Sequence, residues 1–159
     1  DSILSVSGQL SMQQGGPTIR KFSQYDWGYE FNTIRRSVYV PLFRNTLLEV
    51  MEAFDVANPN VVSGRRSETT LPTQALYLMN SPFVNAEAER AGERIIRSGV
   101  TDAERVRLVY RLALGREPSA VEADVVMKFI EESKTGQKSR AWSALVHSLF
   151  GSVDFRHLD

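Results

Sequence analysis

The stretch TDAERVRLVYRLALGREPSAVE, from Thr101 to Glu122, determines the fold class because it contains two helix starts and one helix end. Thr101 to Glu104 and Ser119 to Glu122 both match the capping box, in which a hydroxyl and a glutamate satisfy the first free amides of a helix. Gly115 stops the first helix, and Pro118 separates it from the second. The stretch therefore predicts two amphipathic helices joined by a short turn.

Apolar residues in these two helices recur at helical spacing and define the faces that we expect to be buried. The first face consists of Val106, Val109, Tyr110 and Ala113, and the second of Val121, Val125 and Phe129, in a helix that is expected to end at Gly136.

Two further helices are predicted on either side of this pair. Ser81 and Pro82 are typical of a helix start, and Gly99 marks the end of that helix. Its inner face is Val84, Ala88, Ala91 and Ile95, and its outer, solvated face is Glu87, Glu89, Arg90, Glu93, Arg94 and Arg97. The last helix is expected to run from Ser139 to Gly151 with Trp142, Leu145, Val146 and Leu149 inside, followed by an extended tail from Val153 to Leu158.

The N-terminal third is less regular. Asp1 to Val6 is expected to form a short helix that ends at Gly8. Ile34 to Phe43 has the β-branched and aromatic content of a strand, with Ile19 to Phe22 as its candidate partner. Thr46 to Glu49 is another capping box, and the helix that it starts would bury Leu47, Val50, Met51 and Phe54.

The predicted fold is mainly α, a small helical bundle with a minor β or extended element in the N-terminal third. We expect a single domain over residues 1–159, with an irregular part at about 1–45, a helical part at about 46–151 and a tail at 152–159.

Composition excludes several classes of protein. The chain has 159 residues, 42% of them hydrophobic, and its 19 basic residues are matched by 19 acidic ones. Nucleic acid is therefore not an expected partner, and no apolar run approaches the roughly 20 residues of a membrane span. The absence of cysteine rules out disulfides, thiolate metal sites and covalent c-type haem attachment. Because the chain begins at Asp1, we expect it to be a fragment of a longer protein.

The segment NPNVVSGRRSETTLPTQALYLMN, Asn58 to Asn80, combines turn formers, a double arginine and a Pro-opened helix. Polar residues in and beside it are the candidate binding residues, because loops on a helical scaffold often carry sites. They are Asp55, Asn58, Asn60, Arg65, Arg66, Thr69, Thr70 and Gln74. Structural bracing of the loop is the favoured interpretation, ahead of a ligand site and of catalysis.

Trp27 and Tyr29 are candidate binding residues of a second kind. They lie in YDWGYEF, whose four alternating aromatics would share one face of a strand and could stack on a sugar. Packing of that face against the helices is the favoured alternative.

Catalytic and metal chemistry are not expected. Glu49, Glu52 and Asp55 could form a carboxylate pair, but their spacing also fits an exposed helix face. His147 and His157 have no ligand-type neighbours, so we predict no metal site, no catalytic residue and no cofactor in this domain.

Four runs in fixed order resemble a known family. They are RRSVYVPLFRN (Arg35 to Asn45), FDVANPNVVSGRR (Phe54 to Arg66), TTLPTQALYLMNSPFV (Thr69 to Val84) and LVYRLALGREPSAVE (Leu108 to Glu122). They are similar to the C-terminal domain of planctomycete-type proteins, the domain of unknown function numbered fifteen fifty-three. That resemblance implies a long, extracytoplasmic (periplasmic or cell-surface) multidomain protein that often carries a cytochrome-c-like domain. It supplies no catalytic residues.

The expected function is a non-catalytic C-terminal interaction or packing module, whose partners are the upstream domains of the same polypeptide. Two alternatives remain open, and polysaccharide is the partner in both. One is part of an enzyme site that acts on polysaccharide, and the other is a carbohydrate-binding module.

Overall fold

The computed structural model of the protein describes residues 1–16, 18, 33–44, 47–57, 60, 72–133 and 137–156. Several predictions lie outside these residues, including the strand partner Ile19 to Phe22, the aromatic segment Tyr25 to Phe31, the cap Thr46 and the helix stop Gly136. Within the described residues the structure is mainly helical, which confirms the predicted fold class.

The helices are α1 (Ser2–Ser7), α2 (Glu49–Ala53), α3 (Pro72–Asn80), α4 (Pro82–Arg97), α5 (Asp102–Leu114), α6 (Ala120–Glu132), α7 (Lys138–Phe150) and α8 (Val153–Arg156). None of the helices in the described ranges is long and apolar enough to cross a bilayer.

The chain forms two compact units. One contains Asp1 and residues 10–77, and the other contains residues 2–9 and 78–159. The second unit is therefore completed by a segment from the start of the chain.

The predicted strand in the first unit is wrong, because Ser37–Tyr39 is a turn of 3-10 helix. The amide of Ser37 donates to the Asp1 carboxylate at 2.6 Å, and the amide of Val40 donates to the carbonyl of Ser37 at 3.0 Å. These bonds take the place of the ladder that a strand would need. The pairing seen among the described residues is one isolated bridge between Ser11 and Arg35.

Helix α2 begins later than its sequence pattern predicts. Leu48 caps it without a side-chain hydrogen bond, so the helix starts at Glu49 and the predicted start at Thr46 is wrong. Its apolar side chains are partly exposed.

The second unit contains the larger core. Helices α4 and α7 cross closely at Gly92, where an added Cβ would lie 2.7 Å from the backbone nitrogen of Ser143 and 2.9 Å from its Cα. Trp142, Val146 and Phe150 are fully buried on α7. The predicted inner faces of α4 and α7 are confirmed, and so are Val106, Val109 and Tyr110 of α5.

The capping boxes predicted at Thr101 and Ser119 are both present. The hydroxyl of Thr101 accepts from the amide of Glu104, and the hydroxyl of Ser119 accepts from the amide of Glu122. Gly115 follows α5 in the left-handed conformation that a helix stop requires, with a φ of 68°.

Two predictions for the end of the chain are wrong. Helix α6 buries Val126 and Ile130, whereas the predicted stripe of Val121, Val125 and Phe129 is exposed. The tail is not extended over its described part, because it forms α8, whose first turn is closed by the amide of Phe155 bonding to the hydroxyl of Ser152.

Candidate functional site

Three of the predicted binding residues lie in the described part of the chain, namely Asp55, Asn60 and Gln74. The other candidates lie outside it and are Trp27, Tyr29, Asn58, Arg65, Arg66, Thr69 and Thr70.

Asp55 terminates α2 in the left-handed conformation, with a φ of 51°. Its amide donates to the carbonyl of Glu52 at 3.2 Å, and the amide of Val56 donates to the carbonyl of Met51 at 2.9 Å. This pair of bonds is the Schellman motif, in which the residue after the helix cap is usually glycine and sometimes asparagine. The backbone role of Asp55 is therefore to end the helix.

Asn60 and Gln74 occupy different positions in the first unit. The side-chain amide nitrogen of Asn60 donates to the carbonyl of Arg44 at 2.8 Å, a bond that links residue 60 to the end of the segment 33–44. Gln74 is half-buried in the first turn of α3. Glu49 and Glu52 are exposed in the first turn of α2, which agrees with the interpretation of that face as a solvated one.

Sequence reasoning missed a buried polar cluster in the second unit. Glu87 was expected on the solvated face of α4, but it is 2% exposed. The hydroxyl of Ser7 lies 2.5 Å from its Oε2 and 3.1 Å from the carbonyl of Leu4. A hydroxyl has one hydrogen, and the shorter distance assigns it to the carboxylate. Arg90 forms an ion pair with the other oxygen of Glu87.

Arg94 lies two helical turns after Glu87 and completes the contact with α1. Its guanidinium donates to the carbonyls of Ser5 at 3.0 Å and Val6 at 2.8 Å, which are among the last carbonyls of a helix and lack partners within it. Gly8 then turns the chain with a φ of 78°, and a Cβ there would lie 3.3 Å from the Arg94 side chain.

A second cluster is centred on Arg116, in the turn between α5 and α6. Its guanidinium donates to both carboxylate oxygens of Glu122, at 2.7 and 2.9 Å, and to Asp154 at 2.7 Å. It also lies over the ring of Tyr110, 5.6 Å from the centroid. The GREPS part of the sequence therefore holds three helices together, since α5, α6 and α8 each contribute a partner.

The charges of this cluster shift the titration of its members. Hydrogen bonds from Arg116, together with the amide of Ser119, lower the pKa of Glu122 from 4.5 to about 2. The hydrogen bonds to Glu122 and Asp154 raise the pKa of the Arg116 guanidinium. Burial raises the pKa of the Tyr110 hydroxyl, and the Glu122 carboxylate adds to that shift. Glu122 and Arg116 are therefore both charged at neutral pH.

A third cluster joins the starts of α5 and α7. Arg105 donates to Asp102 at 2.6 Å and to the carbonyl of Ile96 at 3.0 Å, and Lys138 donates to Asp102 at 3.4 Å. Burial acts to raise the pKa of Asp102, but the bonds from both cations lower it overall. These groups link α5 to α7 and to the end of α4.

The exposed stripe of α6 consists of Val121, Val125 and Phe129 and is apolar along its length. Their exposed fractions are 73%, 59% and 45%. An exposed ion pair between Asp124 and Lys128, at 2.8 Å, lies beside the stripe. Among the described residues, no three His, Cys, Asp or Glu side chains lie close enough together to hold a metal ion.

Comparison with known proteins gives one match. The family model described as "Protein of unknown function (DUF1553)" matches residues 1–130, which is most of the 159-residue chain. No curated protein matches the chain, and no solved structure does. The match covers the whole Glu87 cluster, the other two polar clusters in part and the whole α6 stripe. The chain belongs to this family of unknown function.

Proposed function

We propose that the chain is a non-catalytic interaction module that packs against the other domains of a longer, extracytoplasmic and cytochrome-linked polypeptide of the planctomycete type. The observation that carries this proposal is the exposed α6 stripe, Val121, Val125 and Phe129.

The stripe is not needed to hold α6 in place. The opposite face of the helix is anchored by Val126 and Ile130, which are 7% and 0% exposed. The capping box at Ser119 and the Arg116 cluster fix the start of the helix. A helix that is already docked on one side and apolar on the other is typical of a protein surface that is covered by a partner.

The surroundings of the stripe fit an interface. Protein interfaces place apolar and aromatic side chains at the centre and polar groups at the rim. Phe129 supplies an aromatic group, and the Asp124 and Lys128 pair supplies a charged edge. Burial of three such side chains would contribute several kcal/mol, at about 25 cal/mol for each Å² of apolar surface removed from water.

The test is association of the chain with the upstream domains of its own polypeptide. A triple variant, Val121→Ser with Val125→Ser and Phe129→Ser, is expected to weaken association at least about tenfold, as loss of a central apolar contact does. A variant with Val100→Ser and Val153→Ser is the control, because it removes two exposed valines, 37% and 61% exposed, from other parts of the surface.

Equal association of the triple variant and the control would contradict the proposal. A polysaccharide pull-down separates the alternatives. Binding that is lost in Trp27→Ala or Tyr29→Ala would favour a carbohydrate-binding module, and hydrolysis that is lost in Asp55→Asn would favour an enzyme site.

A further inference from the structure

Helix α1 packs on α4, but residues 10–77, which belong to the other unit, separate the two helices in sequence. The helix has six residues. A free helix of that length is not stable in water, because nucleation is costly and the helix ends too soon. Helix α1 is therefore helical only while it is docked.

The docked state depends on a small number of anchors. Leu4 and Val6 are 7% and 5% exposed. The Arg94 guanidinium holds the carbonyls of Ser5 and Val6, and the Glu87 carboxylate accepts from Ser7. Among the described residues, the polar anchors on the receiving side are Glu87 and Arg94, which are seven residues apart on one face of α4.

Release of α1 does not leave an unpaired charge buried on α4. A buried charge that loses its partner normally opposes separation strongly. Here Glu87 keeps the ion pair with Arg90, and Arg94 is already exposed. Opening therefore strands no charge on α4. Ala91, which is 0% exposed, lies along the same helix between Glu87 and Arg94, four residues after the first and three before the second.

We infer that α1 is a detachable strap. It opens as a unit while α4, α5, α6 and α7 stay folded, and its opening uncovers the face of α4 formed by Glu87, Ala91 and Arg94. The strap is independent of the α6 stripe and of the interaction proposed for it.

Hydrogen exchange on the full chain tests this inference. Amides of Val6 to Gln9 are expected to exchange through a local opening, at least about tenfold faster than the slowest amides of α7. Arg94→Ala removes two charge-assisted hydrogen bonds and is expected to raise the α1 exchange rates roughly tenfold while leaving α7 unchanged. Arg97→Ala is the control, because Arg97 pairs with Glu93 on the same helix. This substitution is expected to leave the exchange rates of both α1 and α7 unchanged.

Thiol labelling gives a second readout, since the chain contains no cysteine. Ala91→Cys lies on the α4 face that the strap is inferred to cover, whereas Ala141→Cys, at a position that is 6% exposed, lies on α7. The thiol at position 91 is expected to react faster, and adding Arg94→Ala should accelerate it roughly tenfold without affecting position 141.

Two results would overturn the inference. One is hydrogen exchange at equal rates in α1 and α7, with thiol labelling at equal rates at positions 91 and 141, all unaffected by Arg94→Ala. That result would mean that α1 leaves only in global unfolding. The other is exchange of Val6 to Gln9 at the rate of an unstructured peptide, which would mean that α1 is not docked.

Discussion

The imidazole Nε2 of His147 lies 3.0 Å from the carbonyl oxygen of Leu78. This carbonyl is among the last four of α3, and the amide that would bond to it in a continuing helix belongs to residue 82, which is proline and has no N–H. A carbonyl can only accept, so the hydrogen lies on Nε2. The side chain from α7 thus supplies the donor that α3 lacks.

Removal of this donor is expected to destabilise the protein. His147→Ala should lower the free energy of unfolding by about 1–2 kcal/mol, because it leaves the Leu78 carbonyl unsatisfied and removes packing at a half-buried position. His147→Gln is the matched control, because the glutamine side-chain amide is long enough to donate to the Leu78 carbonyl. This variant should therefore lose less stability than His147→Ala. Urea unfolding followed by circular dichroism measures both. Equal losses in the two variants would show that the hydrogen bond contributes nothing.

Gly92→Ala tests the close crossing of α4 and α7. Alanine is preferred over glycine in helices by about 1 kcal/mol, so the substitution would stabilise an isolated helix. Here the new Cβ would lie 2.7 Å from the backbone nitrogen of Ser143, which cannot move independently of α7. We expect a net loss of about 1–3 kcal/mol in thermal or urea unfolding.

Gly151→Ala is the control for this experiment. Gly151 has a φ of −75° and an added Cβ there would have no neighbour closer than 3.6 Å. The free energy of unfolding of the Gly151→Ala protein should stay within about 0.5 kcal/mol of that of the parent. A Gly92→Ala protein as stable as Gly151→Ala would show that the two helices are farther apart than described.

The orientation of α6 is tested by two adjacent valines. Val126→Ala removes a side chain that is 7% exposed and should cost about 2 kcal/mol in urea unfolding. Val125→Ala removes the same atoms at a position that is 59% exposed and should change stability by less than about 0.5 kcal/mol. A larger loss of stability in Val125→Ala than in Val126→Ala would support the burial pattern predicted from the sequence.

Glu122 should make stability depend on pH in the acid range. Its pKa is about 2 in the folded protein and near 4.5 when it is free, so the charged form favours folding. The stabilisation is complete above about pH 4.5 and is lost as the pH falls toward 2. The side chain is 32% exposed, so solvent screening reduces the effect to about 1 kcal/mol.

Glu122→Gln isolates the charge in this prediction, because glutamine can still close the capping box. It should lower stability by about 1 kcal/mol at pH 7 and by much less at pH 2.5, as measured by urea unfolding at both values. Glu93→Gln removes one member of an exposed ion pair and serves as the control. A constant difference between Glu122→Gln and the parent at the two pH values would contradict the assignment.

The sequence predicted those features whose determinants are local. The capping boxes at Thr101 and Ser119 depend on residues three apart, and both form as expected. The burial of Glu87 was missed because its partner, Ser7, is 80 residues away. No pattern within α4 distinguishes a glutamate that meets a hydroxyl from one that meets water.

The α6 face was mispredicted for a different reason. Residues 121, 125, 126, 129 and 130 are all apolar and cover more than half of the helix circumference. Helical periodicity cannot choose between two apolar stripes on one helix, and only the positions of α5 and α7 decide which is buried.

The candidate binding loop could be predicted only as a set of polar residues. The left-handed conformation of Asp55 follows from its place after α2, and a polar residue type alone does not distinguish this backbone role from a ligand.

The crossing at Gly92 and Ser143 limits the kinds of motion that this group of helices can make. If α7 slid along α4 by one turn so that His147 replaced Ser143, the larger side chain would face a position that has no room for another side-chain atom. The point of nearest approach therefore acts as a pivot. Any rearrangement that preserves the crossing must tilt the two helices about it, and their register stays fixed.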